Sequence, residues 1–90
     1  MTFTYHQDPG HGWLAVPFFQ LRHLGMTRQD FSKFSYEYRG VAYLEEDCDM
    51  PKFMEAWKKR YGSYPELESK HEDPTPIRGY PRLRYPLFGR

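Results

Sequence analysis

Four carboxylates fall within five residues at Glu45, Glu46, Asp47 and Asp49, with Cys48 among them. Carboxylates packed this densely can hold a hard cation or move protons. The spacing argues against both, because it lacks the alternating oxygen ligands and interior glycine of a calcium loop. An apolar run, Val41 to Leu44, leads straight into the acids and reads as a strand. Strand geometry sends Glu45 and Glu46 to opposite faces. A strongly patterned helix starts at once at Met50, so Asp49 reads as its N-cap and its neighbours as anions suited to a helix N-terminus. As a surface, Glu45, Glu46 and Asp47 form a candidate acidic patch for a protein partner.

The other reactive side chains form no recognisable set. His6, His11, His23 and His71 are scattered without a ligand spacing, and the single cysteine supports no zinc site. A helix N-terminus lowers the pKa of a thiol, but the surrounding carboxylates raise it, and they are closer to Cys48. We therefore expect no catalytic residue, no metal and no cofactor. In ninety residues a large cofactor pocket would also consume much of the core.

The rings are a stronger signal. Eight Tyr, seven Phe and two Trp are more than so small a domain can enclose. Tyr, Trp and Arg left outside are the residues that anchor interfaces. Tyr36 and Tyr38 alternate along a strand, and Tyr80, Arg82, Arg84 and Tyr85 interleave on a proline-stiffened tail; all six are candidate partner-binding residues. One nucleic-acid foothold exists. Arg39-Gly40-Val41-Ala42-Tyr43-Leu44 partly matches the first signature of RNA recognition motifs. Val41 replaces the first stacking ring, and Glu46 stands where the last one belongs. An RNA- or single-stranded-DNA-binding module using Tyr36, Tyr38, Tyr43 and the tail arginines is thus the alternative to a protein binder.

These residues must be positioned by a few short elements. Residues 2–5 and 13–16 read as strands joined by the turn Asp8-Pro9-Gly10. A helix over 17–24 ends at Gly25. Residues 31–38 and 41–45 read as a hairpin turning at Arg39-Gly40. The helix from Met50 to Tyr61 carries Phe53, Met54 and Trp57 on one face and stops at Gly62. Residues 67–71 read as a charged edge strand. The implied fold is α+β: a small ferredoxin-like, split βαβ antiparallel sheet with two helices on one face, plus a short N-terminal strand. One domain spans residues 1–72. Residues 73–90 form an extended, proline-rich tail docked on that domain or on a partner.

Net charge is +1, so no global field draws the chain to nucleic acid or membrane. No apolar run approaches the roughly 20 residues that span a bilayer. The N-terminus has no signal-peptide pattern, and a lone cysteine fits a reducing compartment, so a cytoplasmic location is expected. A homodimer that covers an open sheet face would satisfy the same composition.

Three stretches carry a resemblance: His11-Gly12-Trp13-Leu14 with Val16-Pro17, the run from Tyr43 to Asp49, and Ile77-Arg78 with Tyr80. Together they resemble small uncharacterised bacterial proteins of phages, plasmids and other mobile elements. That resemblance implies a non-enzymatic accessory factor that binds a host or element-encoded protein. An anti-CRISPR-like inhibitor of host defence, acting by occupying a surface, is one such class. It carries no site residues.

Overall fold

The computed structural model describes residues 1–83. Five strands form one sheet: β1 (Thr2–Gln7), β2 (Gly12–Pro17), β3 (Tyr36–Tyr38), β4 (Val41–Glu45) and β5 (Glu66–His71). Two α-helices, α1 (Phe18–His23) and α2 (Met50–Tyr61), and two short 3-10 turns, Arg28–Asp30 and Pro76–Gly79, complete the described chain. The fold is α+β, as expected. The sheet is mixed rather than antiparallel. Its order is β3-β4-β2-β1-β5, and β5 runs parallel to β1. The N-terminal strand, expected outside a four-stranded split βαβ sheet, is inserted between β2 and β5. A two-residue turn after Asp8 lays β1 directly against β2, so β5 must pair with β1 instead.

Strand alternation divides the residues between two faces. Register places Leu14 opposite Leu44, Val16 opposite Ala42 and Tyr5 opposite Leu14 on one face. The helices cover that face. Phe3, Leu14, Val16, Leu21, Phe31, Ala42, Leu44 and Phe53 are buried there in one cluster. Phe3 meets Phe53 and Trp57 edge-on, both at 5.2 Å. Each fully buried side chain of this size contributes about 1.5–3 kcal/mol. The opposite face presents Trp13, Ala15, Tyr36, Tyr38, Tyr43 and Glu45.

Local chemistry explains the boundaries. Arg39 and Gly40 both take positive φ (50° and 80°), the geometry that closes a two-residue hairpin between twisted strands. Gly62 ends α2 at φ 90° and donates its N–H to the Lys58 carbonyl at 2.7 Å. The strand expected over residues 31–38 shrinks to Tyr36–Tyr38. Its first part is captured by a buried carboxylate. Asp49 accepts hydrogen bonds from the Ser32 N–H (2.9 Å), the Ser32 hydroxyl (2.7 Å) and the Ser35 hydroxyl. This also corrects the expected role of Asp49. It makes no side-chain cap to α2. It ties the loop before β3 to the start of that helix, and Lys52 lies 3.7 Å away.

Residues 76–83 pack against the same domain. Ile77 and Leu83 are buried. The Glu37 N–H donates to the Pro81 carbonyl and the Leu83 N–H to the Ser35 carbonyl, both at 2.9 Å. Arg82 thereby pairs with Tyr36 and extends the β3 edge of the sheet. Part of this segment is a 3-10 turn rather than the extended chain that four prolines implied.

Candidate functional site

The face away from the helices is built from rings, and the tail caps most of them. Tyr80 stacks on Tyr38 at 4.4 Å and 12°, and tilts against Tyr43 at 5.2 Å. Arg78 lies over Trp13 at 5.2 Å and Arg82 over Tyr36 at 4.7 Å. Burial, followed by the neighbouring Tyr80 and Tyr38, pushes the Tyr43 phenol above its usual pKa. Each ring that could have stacked on a base therefore carries one of the chain's own Tyr or Arg side chains against it, although Tyr38 stays 39% exposed.

An ion pair anchors the tail. The Asp8 carboxylate accepts both Arg78 Nε (2.7 Å) and Nη2 (2.9 Å), and also the N–H groups of Gly10 and His11 at 3.0 Å. The Arg78 guanidinium and these amides hold the Asp8 carboxyl well below the usual carboxylate range. Asp8→Asn is expected to loosen the tail, with a defined pH dependence. The folded pKa is depressed, so the pair stabilises fully above the unfolded carboxylate value of about 3.9 and fades as pH falls below it. Thermal melts of the two proteins should differ by a constant gap from pH 7 to about 5, then converge below about pH 4. A gap that persists unchanged in strong acid contradicts this assignment.

Between the docked tail and the turn after β4 lies an open cleft of about 420 Å³. Tyr36 and Phe34 supply its apolar surface, with the buried Trp13 behind them. Glu45, Asp47 and Cys48 line it from the turn, Arg78 and Arg82 from the tail, and His11 from the β1–β2 turn. Glu45 is 7% exposed and organises the turn, its Oε1 accepting the N–H groups of Asp47 (3.1 Å) and Cys48 (2.8 Å). Loss of hydration, a hydrogen bond with Glu45 and the charges of Glu45, Asp49 and Asp47 push the Cys48 thiol up. It is exposed but poorly suited to attack as a thiolate. Among the described residues no group of histidines, cysteines and carboxylates is placed to hold a metal. Among the described residues no helix is long and apolar enough to cross a membrane.

The structure sorts the sequence candidates into three groups. Glu45, Asp47, Tyr36 and Arg82 meet at the cleft. Tyr38 and Tyr80 form the adjacent stack. Glu46 sits beside Tyr5 on the helix side; burial first, then this acid, pushes the Tyr5 phenol well up. A Cβ on Gly12 would collide with that same Tyr5 hydroxyl, so the glycine makes room for it. Arg84 and Tyr85 lie outside the described residues. His11, Trp13, Phe34, Cys48 and Arg78 also line the cleft, although composition and spacing did not single them out as a site. The stretches 11–17, 43–49 and 77–80 each contribute to the lining. No family model, curated protein or solved structure matches the chain.

Proposed function

We propose that this chain is a non-enzymatic, protein-binding accessory factor that grips an extended segment of its partner in the cleft between the acidic turn and the docked tail. One observation carries the reading: an aromatic surface of Tyr36 and Phe34, backed by the buried Trp13, lies between walls of opposite charge, in a cleft sized for a few side chains. Arg78 is already neutralised by Asp8, which leaves Arg82, Glu45 and Asp47 on the lining without an ion pair among the described residues. The matching occupant is a polypeptide segment with a basic side chain for Asp47 and an acidic one for Arg82. Tyr and Arg around a desolvated centre are the residues that dominate protein interfaces. Carboxylates on the wall repel a phosphate backbone, and Tyr80 already fills the stacking platform. These features favour protein over nucleic acid. The resemblance to mobile-element proteins adds a setting: a cytoplasmic factor whose first candidate partners are host proteins, including defence components blocked by surface occupation.

Selection from a random peptide display library tests this reading. Enriched sequences are expected to carry a basic residue, and Asp47→Lys should weaken the best of them about tenfold or more, in line with interfacial charge reversal. Asp47 is the clean probe because its exposed side chain makes no hydrogen bond or ion pair among the described residues, whereas Glu46 acts on Tyr5. Enrichment of nothing above background, together with salt-dependent binding of short oligonucleotides, would replace this reading with the nucleic-acid one.

A further inference from the structure

β5 ends the sheet, and all six of its residues are exposed. No proline or bulge interrupts it. The Glu72 N–H donates inward to the Gln7 carbonyl at 2.9 Å. Backbone groups alternate along a strand, so residues 68 and 70 also face β1. Leu67, Ser69 and His71 then direct their N–H and C=O groups outward. An outer edge this long and unprotected is a template for another strand.

We infer that this edge pairs with a second copy of the same chain, antiparallel about a two-fold axis at Ser69. Ladder length and charge together select the register. Hydrogen-bond phase allows outward residues to face only outward residues, which leaves three central alignments. Centring on Glu68 pairs Glu66 with Lys70 twice, but it sets Glu68 against its own copy and leaves His71 out of the ladder; centring on Lys70 sets two ammonium groups together and Glu68 against Glu72. Centring on Ser69 sets Glu68 against Lys70 of the second copy, twice, on the face away from the helices. Leu67 then faces His71 on the helix side. The pairs Leu67–His71, Ser69–Ser69 and His71–Leu67 exchange the backbone hydrogen bonds. Glu68 is held in line by the Thr4 hydroxyl at 3.2 Å. The flanking Glu66 and Glu72 would face each other across the ends of the ladder. Glu72 is partly compensated within its own chain by Lys70 (3.9 Å). Opposite charges placed directly across strands stabilise pairing, and like charges there destabilise it. The result is a closed dimer with one continuous sheet and all helices on one side.

Mass measurement in solution tests this with the full chain, at protein concentrations on the order of 100 µM suited to a small interface. Wild type is expected to dimerise at low salt and to dissociate as salt rises. Glu68→Lys alone and Lys70→Glu alone should each give monomer, and the combined swap should restore the dimer. Restoration separates register from folding, because the swap removes the same Thr4 hydrogen bond as the single change. A monomeric wild type overturns the inference, as does a dimer indifferent to Glu68→Lys or a double variant that stays monomeric.

Discussion

Asp49→Ala is expected to destabilise the domain by about 3–5 kcal/mol, the magnitude for removing one partner from a buried charged network. The carboxylate is fully buried and accepts from the Ser32 N–H, the Ser32 hydroxyl and the Ser35 hydroxyl. Truncation leaves these donors without their acceptor inside the protein. The Ser35 hydroxyl also accepts the Glu45 N–H at 2.9 Å, so damage spreads to the end of β4 and the turn beside the cleft. For a domain of this size the loss corresponds to a fall in Tm of about 15–30 °C. Asp49→Asn keeps the volume and one acceptor oxygen and should lose about half as much, since neutral hydrogen bonds are roughly half as strong. Urea unfolding measures both. An alanine variant within about 1 kcal/mol of wild type, the effect of an ordinary substitution, would show that Asp49 does not hold the 31–35 loop.

Leu83→Ala is expected to cost about 2–4 kcal/mol, and Ile77→Ala a similar amount, as for other buried large-to-small changes. Both side chains are buried, and Leu83 joins the main core cluster. Arg82→Ala should cost less than about 1 kcal/mol, because this exposed side chain offers one ring contact and one hydrogen bond to the Lys33 carbonyl. The contrast is diagnostic. A tail that is an integral part of the domain is sensitive at Leu83 and Ile77 and tolerant at Arg82. A tail lying loosely on the surface is indifferent to all three. Amide exchange reads the same question, since the Glu37 and Leu83 N–H groups bond across the tail junction and should exchange only with larger openings.

Much of the fold was legible because local chemistry and pattern agreed. The helical spacing of Phe53, Met54 and Trp57 gave α2, and Gly62 marked its end. Arg39-Gly40 gave the hairpin. Three features were hidden because they depend on distant partners. The insertion of β1 between β2 and β5 is a choice of neighbour, and alternation within a strand says nothing about neighbours. Residues 31–35 alternate like a strand, but Asp49 captures them from fourteen or more positions away. Asp8 read only as a turn former, and nothing local announces its bond to Arg78, seventy residues on. The site was half legible for the same reason. Glu45, Asp47, Tyr36 and Arg82 stood out by type, whereas Trp13 joins them only through the pairing of β2 with β4, and Arg78 only once the tail has folded back. The abundance of rings pointed to an adhesive surface. In the fold several of those rings stack on one another and on the tail. Phe34, at the rim of the cleft, remains 47% exposed.

Chemical-shift mapping with a display-selected peptide tests the central claim most directly. The account predicts that the largest changes fall on the Trp13 indole, Phe34, Tyr36, Asp47 and Arg82, while the amides of α1 and β5 hold still. Changes concentrated on the helix face, or on the Tyr38–Tyr80 stack with the cleft undisturbed, would contradict it.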